Sequence, residues 1–341
     1  MMKKNTLIYI LIFVVAASLA VWLMSKEDKS TLPIALSNFA VKDTGDITSV
    51  RLTDKDGGSL VLGRKSAGTW MINDQYVAQP SQIRLFLETI RLVNVKGPVP
   101  LAARDNVIRD MAASSTKVEI FKGDKLVKTY YVGGTTSDEL GTYMLLEGSS
   151  EPFITEIQGF YGYLSSRYRT DPITWRSTEI YHLHPPSIRS VEIVYPHEPA
   201  ASFRLTVEND EYLVQQLPEG SKLKLSALEA KRLLAGFNSI DFEQFPPLTH
   251  DERDSILQVQ PAAIIKVTAD NANAPVLTLY PKRADVRTKE VGQGNYDLDK
   301  FYGTISPTTA PGGEGVSSRE IVLVQKFVLE KILASYGELT D

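Results

Sequence analysis

Two stretches decide how this chain is read: "ITSVRL" at residues 47–52 and "IRSVEI" at residues 188–193, 141 residues further on. Both alternate apolar with other residues as a half-buried strand does, so that Ile47, Val50 and Leu52 match Ile188, Val191 and Ile193. The segments downstream of each are also alike. "SLVLGR" (59–64) and "TWMIND" (69–74) read as two further strands, as do "SFRLTV" (202–207) and "EYLVQQ" (211–216), with Trp70 in the place of Tyr212. A helix comes next in each copy. In the first, "QPSQIRLFLETIRLVNV" (79–95) carries Pro80 early, where a missing N–H costs least, and Ile83, Leu87 and Ile90 on one face. In the second, "LSALEAKRLLAGFNSIDF" (225–242) opens on a capping box of Ser226 and Glu229, with Leu228, Leu233 or Leu234, and Phe237 as the apolar stripe. Both helices lead to proline-containing exits, "VKGPVP" (95–100) and "FEQFPP" (242–247).

The likeness continues. "TKVEIFKGDKLVKTYYVGG" (116–134) reads as a hairpin with a Gly-Asp turn, with a third strand in "GTYMLLEG" (141–148), and "AAIIKVTADNANAPVLTLYPK" (262–282) is its counterpart. Phe160-Tyr161-Gly162 and Phe301-Tyr302-Gly303 again stand 141 residues apart. The expected fold is therefore α+β. Two tandem repeats, 45–177 and 178–341, are each a curved antiparallel sheet with one main helix, and an amphipathic helix over 318–337 closes the second, with Gly337 as its stop.

In front of the repeats lies "TLIYILIFVVAASLAVWLM", residues 6–24, without a charge. Nineteen helical residues rise about 28 Å, close to the hydrocarbon thickness of a bilayer. Lys3 and Lys4 precede the segment, so the positive-inside bias places the N-terminus in the cytoplasm and the body across the inner membrane. A cleavable signal peptide is the alternative, with Ser18-Leu19-Ala20 as a weak cleavage site. The apolar run continues past it through Val21 to Met24, which favours a signal anchor over residues 1–24 with a polar linker over 25–44.

Composition excludes several function classes. Setting aside Lys3 and Lys4 leaves 35 basic against 41 acidic residues and no basic cluster, which argues against a nucleic-acid partner. The absence of cysteine removes thiol catalysis, thiolate metal sites and disulfides. His182 and His184 in "YHLHPP" would share one face of a strand, and "THDERD" adds His250, Asp251 and Asp254, but no third ligand has zincin spacing and HEXXH is absent. A surface strand end and a polar loop are the expectation there, and no metal. Asp297 and Asp299 in "YDLDKFYG" lack the rest of a calcium loop and read as an N-capped helix start. "VGQGNY" (291–296) reads as a hairpin turn. No GXSXG elbow occurs, and "SSTK" (114–117) runs into a strand rather than opening a helix. Neither a catalytic residue nor a cofactor is expected.

The stretches "TWMINDQYVA" (69–78), "YYVGGTTSDELGTYMLLEGSSEPFITEIQGFYGYLSSRY" (130–168), "YDLDKFYGTI" (296–305) and "VLVQKFVLEKIL" (322–333) resemble a membrane-anchored bacterial family known as uncharacterised domain family 4340. Its domains are similar to the extracytoplasmic part of gliding-motility-type auxiliary ABC transporter components. The resemblance implies an envelope location and this fold, and supplies no activity.

The expected function is thus a non-catalytic, membrane-anchored envelope protein that binds a protein partner or serves as an accessory module of an ABC-type transporter. A receptor for a small ligand or glycan held between the repeats, and an envelope hydrolase, are the alternatives. In "GFYGYL" (159–164), Phe160 and Leu164 are expected to be the buried face of a short helix, like Phe301 and Ile305. Tyr161, Tyr163, Arg167, Tyr168 and Trp175 are the candidate ligand or partner contacts.

Overall fold

The computed structural model describes residues 18, 38–66, 68–209, 211–270, 274–284, 295–306 and 320–340. The chain divides into two compact units, one made of residues 1–64 and 81–171, the other of residues 65–80 and 172–341. No helix among the described residues is long and apolar enough to cross a membrane, and the expected anchor at 6–24 lies outside them apart from Ser18. "VGQGNY" also lies outside them, save Asn295 and Tyr296.

Through the first unit the elements run β1 (Ser49–Thr53), β2 (Ser59–Ser66), then β3 (Thr69–Ile72) and β4 (Tyr76–Val77), which group with the second unit. Next come α1 (Pro80–Leu92), β5 (Asn94–Pro98), α2 (Leu101–Ser114), β6 (Thr116–Lys122), β7 (Lys125–Thr135), β8 (Thr142–Leu146) and β9 (Phe153–Glu156). The second unit continues with β10 (Glu179–Tyr181), β11 (Ile188–Val194), β12 (Phe203–Glu208), β13 (Glu211–Gln216), β14 (Lys222–Lys224), α3 (Ala227–Gly236) and β15 (Ile240–Asp241). It ends with α4 (His250–Leu257), β16 (Ala263–Ala269), β17 (Val276–Arg283), β18 (Tyr296–Ser306), β19 (Ile321–Gln325), α5 (Lys326–Leu329) and α6 (Tyr336–Thr340).

The strands of "ITSVRL" and "IRSVEI", β1 and β11, lie inside two large antiparallel sheets. In the first unit the order is β2-β1-β6-β7-β8-β9-β5, and in the second β14-β13-β12-β11-β16-β17-β18-β19. Register agrees as well as order. Val50 pairs with Leu62 on one side and Ile120 on the other, and Val191 pairs with Leu205 and Val267. Leu52 pairs with Leu60 and Val118 as Ile193 pairs with Phe203 and Ile265. All of these side chains are buried, each contributing about 1.5–3 kcal/mol of transfer free energy.

Several expectations are corrected. Phe39, in the expected linker, is buried with edge-on contacts to Tyr130 and Phe153, and Val41 N–H donates to the Ile90 carbonyl. The core of the first unit therefore begins before residue 45. Each unit has more than one helix. α2 buries only Val107 and Met111, an apolar stripe too thin to be read from sequence. α4 replaces the polar loop expected at "THDERD", because Thr249 and Glu252 form a reciprocal capping box. On α1 the buried face is Ile83, Phe86, Thr89 and Ile90, and on α3 Leu228 points to solvent.

The closing helix is a strand. Ile321, Val322, Leu323 and Val324 are all buried in β19, where mostly β-branched residues suit a pleated surface. Among the described residues only the short helices α5 and α6 come after it, and Gly337 lies within α6 rather than stopping a helix. "YDLDKFYGTI" is also strand, within β18, and Asp297 there pairs with Lys282 at 2.8 Å instead of capping a helix.

Four buried or half-buried tyrosines carry a pH consequence. Burial raises the hydroxyls of Tyr130, Tyr181 and Tyr195, and lifts Tyr168 to about 12 from an ordinary 10.0. In the unfolded chain they ionise at the ordinary value. Their stabilisation is thus complete below about pH 10 and lost as pH rises through the raised folded values. Tyrosinate absorbance should show a group of tyrosines that ionises only together with loss of the circular dichroism of the sheets. Complete ionisation near pH 10 with the fold intact would contradict this.

Candidate functional site

The loop after β9 is built by two glycines and two anchors. Gly159 at φ 83° and Gly162 at φ 143° occupy the left-handed region that side chains resist. A Cβ on Gly162 would come within 3.2 Å of the Phe160 ring. Phe160 N–H donates to the Ile157 carbonyl at 2.9 Å, closing the turn. Leu164 is fully buried, and its N–H donates to Thr142 Oγ1, itself buried on β8, at 2.6 Å. A short 3-10 turn, Ser165–Arg167, then leads to Tyr168.

Between these anchors three aromatic side chains are held out. Tyr161 is 88% exposed, and Phe160 and Tyr163 are each 39% exposed. The expected short helix with Phe160 on its buried face does not form, because glycine at 159 and 162 favours a turn over a helix and only Leu164 reaches the core. The comparison with "KFYGTI" fails as well. That segment lies on β18, the third strand of the series β16-β17-β18, and so corresponds in order to β8 and not to the loop after β9. A longer passage from β17 to β18 restores the 141-residue spacing by coincidence.

Arg167 lies beneath this display, with its guanidinium carbon 4.3 Å from the centre of the Phe160 ring. Its Nη1 donates to Thr89 Oγ1 at 2.8 Å, and Thr89 Oγ1 in turn donates to the Leu85 carbonyl at 2.7 Å. Burial pushes the guanidinium somewhat below its ordinary value, with the charge of Glu88 opposing the shift from a distance. Glu88 itself pairs with Arg91 at 3.8 Å, and no carboxylate among the described residues lies within ion-pairing distance of Arg167.

The other candidates fall elsewhere. Tyr168 is core: its ring meets Phe86 edge-on at 5.5 Å and Tyr130 at 6.1 Å, and its oxygen accepts from the Tyr130 hydroxyl at 3.3 Å. Trp175 is buried in the short helix Pro172–Trp175 of the second unit, and its carbonyl accepts from Gln79 N–H at 2.7 Å. Neither can touch a ligand without leaving its packing. Tyr161 and Tyr163 remain exposed on either side of Gly162, and Arg167, three residues after Leu164, meets the Phe160 ring. His182 faces Asp241 at 3.1 Å and Glu179 at 3.6 Å on the surface, and no cluster among the described residues could hold a metal ion.

Two features had no sequence signal. Arg176 is 7% exposed in the second unit, its guanidinium between the rings of Tyr76 (3.9 Å) and Phe245 (4.1 Å) and paired twice with Glu320 at 3.0 and 2.5 Å. A groove of about 790 Å³ runs between α3 and the C-terminal turns, lined by Arg232, Leu233, Phe327, Lys331, Ala334 and Glu338 among others. Both join residues far apart in sequence.

No family model, curated protein or solved structure matches the chain.

Proposed function

We propose that the chain is a non-catalytic envelope module, tethered by residues 6–24 to the inner membrane with its body outside the cytoplasm, that binds a protein partner as an accessory component of an ABC-type transporter. The observation that carries the reading is the pinned loop at 159–163, which displays Phe160, Tyr161 and Tyr163 to solvent. Exposed aromatics grouped at one point are the residue types that dominate protein interfaces. The tether adds to this by raising the local concentration of the module at its membrane.

Two of the sheet ends, β14 and β5, favour the loop as the contact surface. β14 is a three-residue edge with Lys222 and Lys224 exposed, and β5 carries a register break, Gly97 and Pro98. Short, lysine-bearing, proline-bearing and bulged edges resist strand addition. The shared order and register of the two sheets support the finer reading of the fold, a tandem duplication of one β-rich unit.

Detergent extraction of the membrane fraction, followed by affinity purification of the full chain, tests the reading. The expected result is co-purification of ATP-hydrolysing and permease subunits in fixed ratio. Recovery of the chain alone in several detergents would refute it.

A further inference from the structure

We propose that the 159–163 loop and Arg167 form a docking site for a partner-protein segment carrying a carboxylate beside an apolar side chain. The proposal rests on the protein-binding reading and names the chemistry of the partner.

Charge is the first observation. Among the described residues several exposed arginines lack a carboxylate partner. Of the buried or half-buried ones other than Arg167, Arg104 and Arg176 each face a carboxylate and Arg64 donates to the Thr44 and Gly45 carbonyls. Arg167 has only the neutral Thr89 hydroxyl and the face of Phe160 in contact. One committed donor leaves the rest of its fork for an acceptor from outside, and a carboxylate matches that fork with two oxygens.

Position is the second. Because the guanidinium stacks on Phe160, positive charge and aromatic surface are offered at the same point, and Tyr161 and Tyr163 are exposed within the same turn of chain. A residue pair on the partner, one acidic and one apolar, would satisfy both at once. The backbone of the loop is already fixed by the Thr142–Leu164 and Ile157–Phe160 hydrogen bonds, so little ordering entropy is lost on binding. A neutral sugar could stack on the tyrosines, but it would leave the cation with no carboxylate in contact, Glu88 acting on it only from a distance. The loop also has no Asn or Asp to bracket sugar hydroxyls.

The full chain in detergent would be titrated with three probes that differ only in charge: 3-phenylpropionate, 3-phenylpropanol and 3-phenylpropylammonium. The amide signals of Gly159 and Gly162 and the side-chain signal of Arg167 report binding. The carboxylate probe should bind about tenfold more tightly than the alcohol, the size of one charge-assisted pair. Arg167→Gln should abolish that preference and Arg167→Lys should keep part of it, both with unchanged circular dichroism. Equal binding of the three probes, preference for the cation, or tighter binding of a neutral oligosaccharide at the same signals overturns the proposal.

A photo-crosslinking residue placed in cells at Tyr161, or at exposed Leu228 of the second unit, separates the site from the broader partner-binding reading. Crosslinks from position 161 that vanish in Arg167→Gln support the site. Crosslinks to a protein from position 228 alone overturn the site but leave the partner-binding reading standing. No crosslink from either overturns both.

Discussion

Arg176→Ala should lower the stability of the second unit by about 3 kcal/mol, the cost of breaking a buried pair from one side plus the loss of two ring contacts. The guanidinium side chain is 6% exposed and the Glu320 carboxylate 25% exposed, so the remaining carboxylate recovers part of its hydration and the cost stays near the lower end for buried pairs. Alanine also leaves the space between Tyr76 and Phe245 unfilled. Arg176→Lys should recover only part of the loss, since an ammonium cannot reproduce the bidentate geometry or lie flat between two rings. In a cycle with Glu320→Ala, the double variant should be less damaged than the sum of the singles, because each single leaves the other charge uncompensated. Denaturant unfolding followed by tryptophan fluorescence measures all four proteins. Additive effects would mean that the pair contributes no coupling and that Arg176 acts through packing alone.

Tyr168→Ala should cost the first unit about 4 kcal/mol, as expected for an aromatic side chain removed from a closed core. Its ring joins Phe86 to Tyr130, and Tyr130 joins it to Phe39, so one truncation loosens α1, β7 and the segment before β1 together. Tyr168→Phe separates the ring from the hydroxyl. It keeps the packing but deprives the buried Tyr130 hydroxyl of its acceptor, which should cost about 1–2 kcal/mol. The alternative role for Tyr168, contact with a ligand, makes the opposite demand: stability untouched by Tyr168→Phe and binding lost. Thermal unfolding of both variants beside Tyr161→Ala, at an 88% exposed position, distinguishes a core tyrosine from a surface one.

Much of the sheet architecture is legible in the residues. Short-range alternation in "ITSVRL" and "IRSVEI" is a property of each strand and its two faces, and it is readable before any partner strand is known. The Gly-Asp hairpin between β6 and β7 and the Ser226 cap of α3 are legible for the same reason, since their hydrogen bonds close within a few residues. Helix against strand is not settled locally for "EIVLVQ" or "DKFYGT". Short apolar runs suit either state, and only the open place beside β17, and then beside β18, makes them strands.

The candidate site shows the same division. In sequence, five residues between Tyr161 and Trp175 form one aromatic and basic group. Packing separates them: Tyr168 and Trp175 are drawn into cores, Tyr161 and Tyr163 stay at the surface, and Arg167 is half-buried with one donor on Thr89. Residue identity and near neighbours suffice for the uncharged N-terminal segment, the paired strand patterns, the acidic balance and the lack of cysteine. They do not suffice for which aromatics face water, for the burial of Arg176 between two rings, or for the place of Arg167 under Phe160 without a carboxylate. Those outcomes depend on which distant side chains compete for the same space and the same charge, and no local pattern encodes that competition.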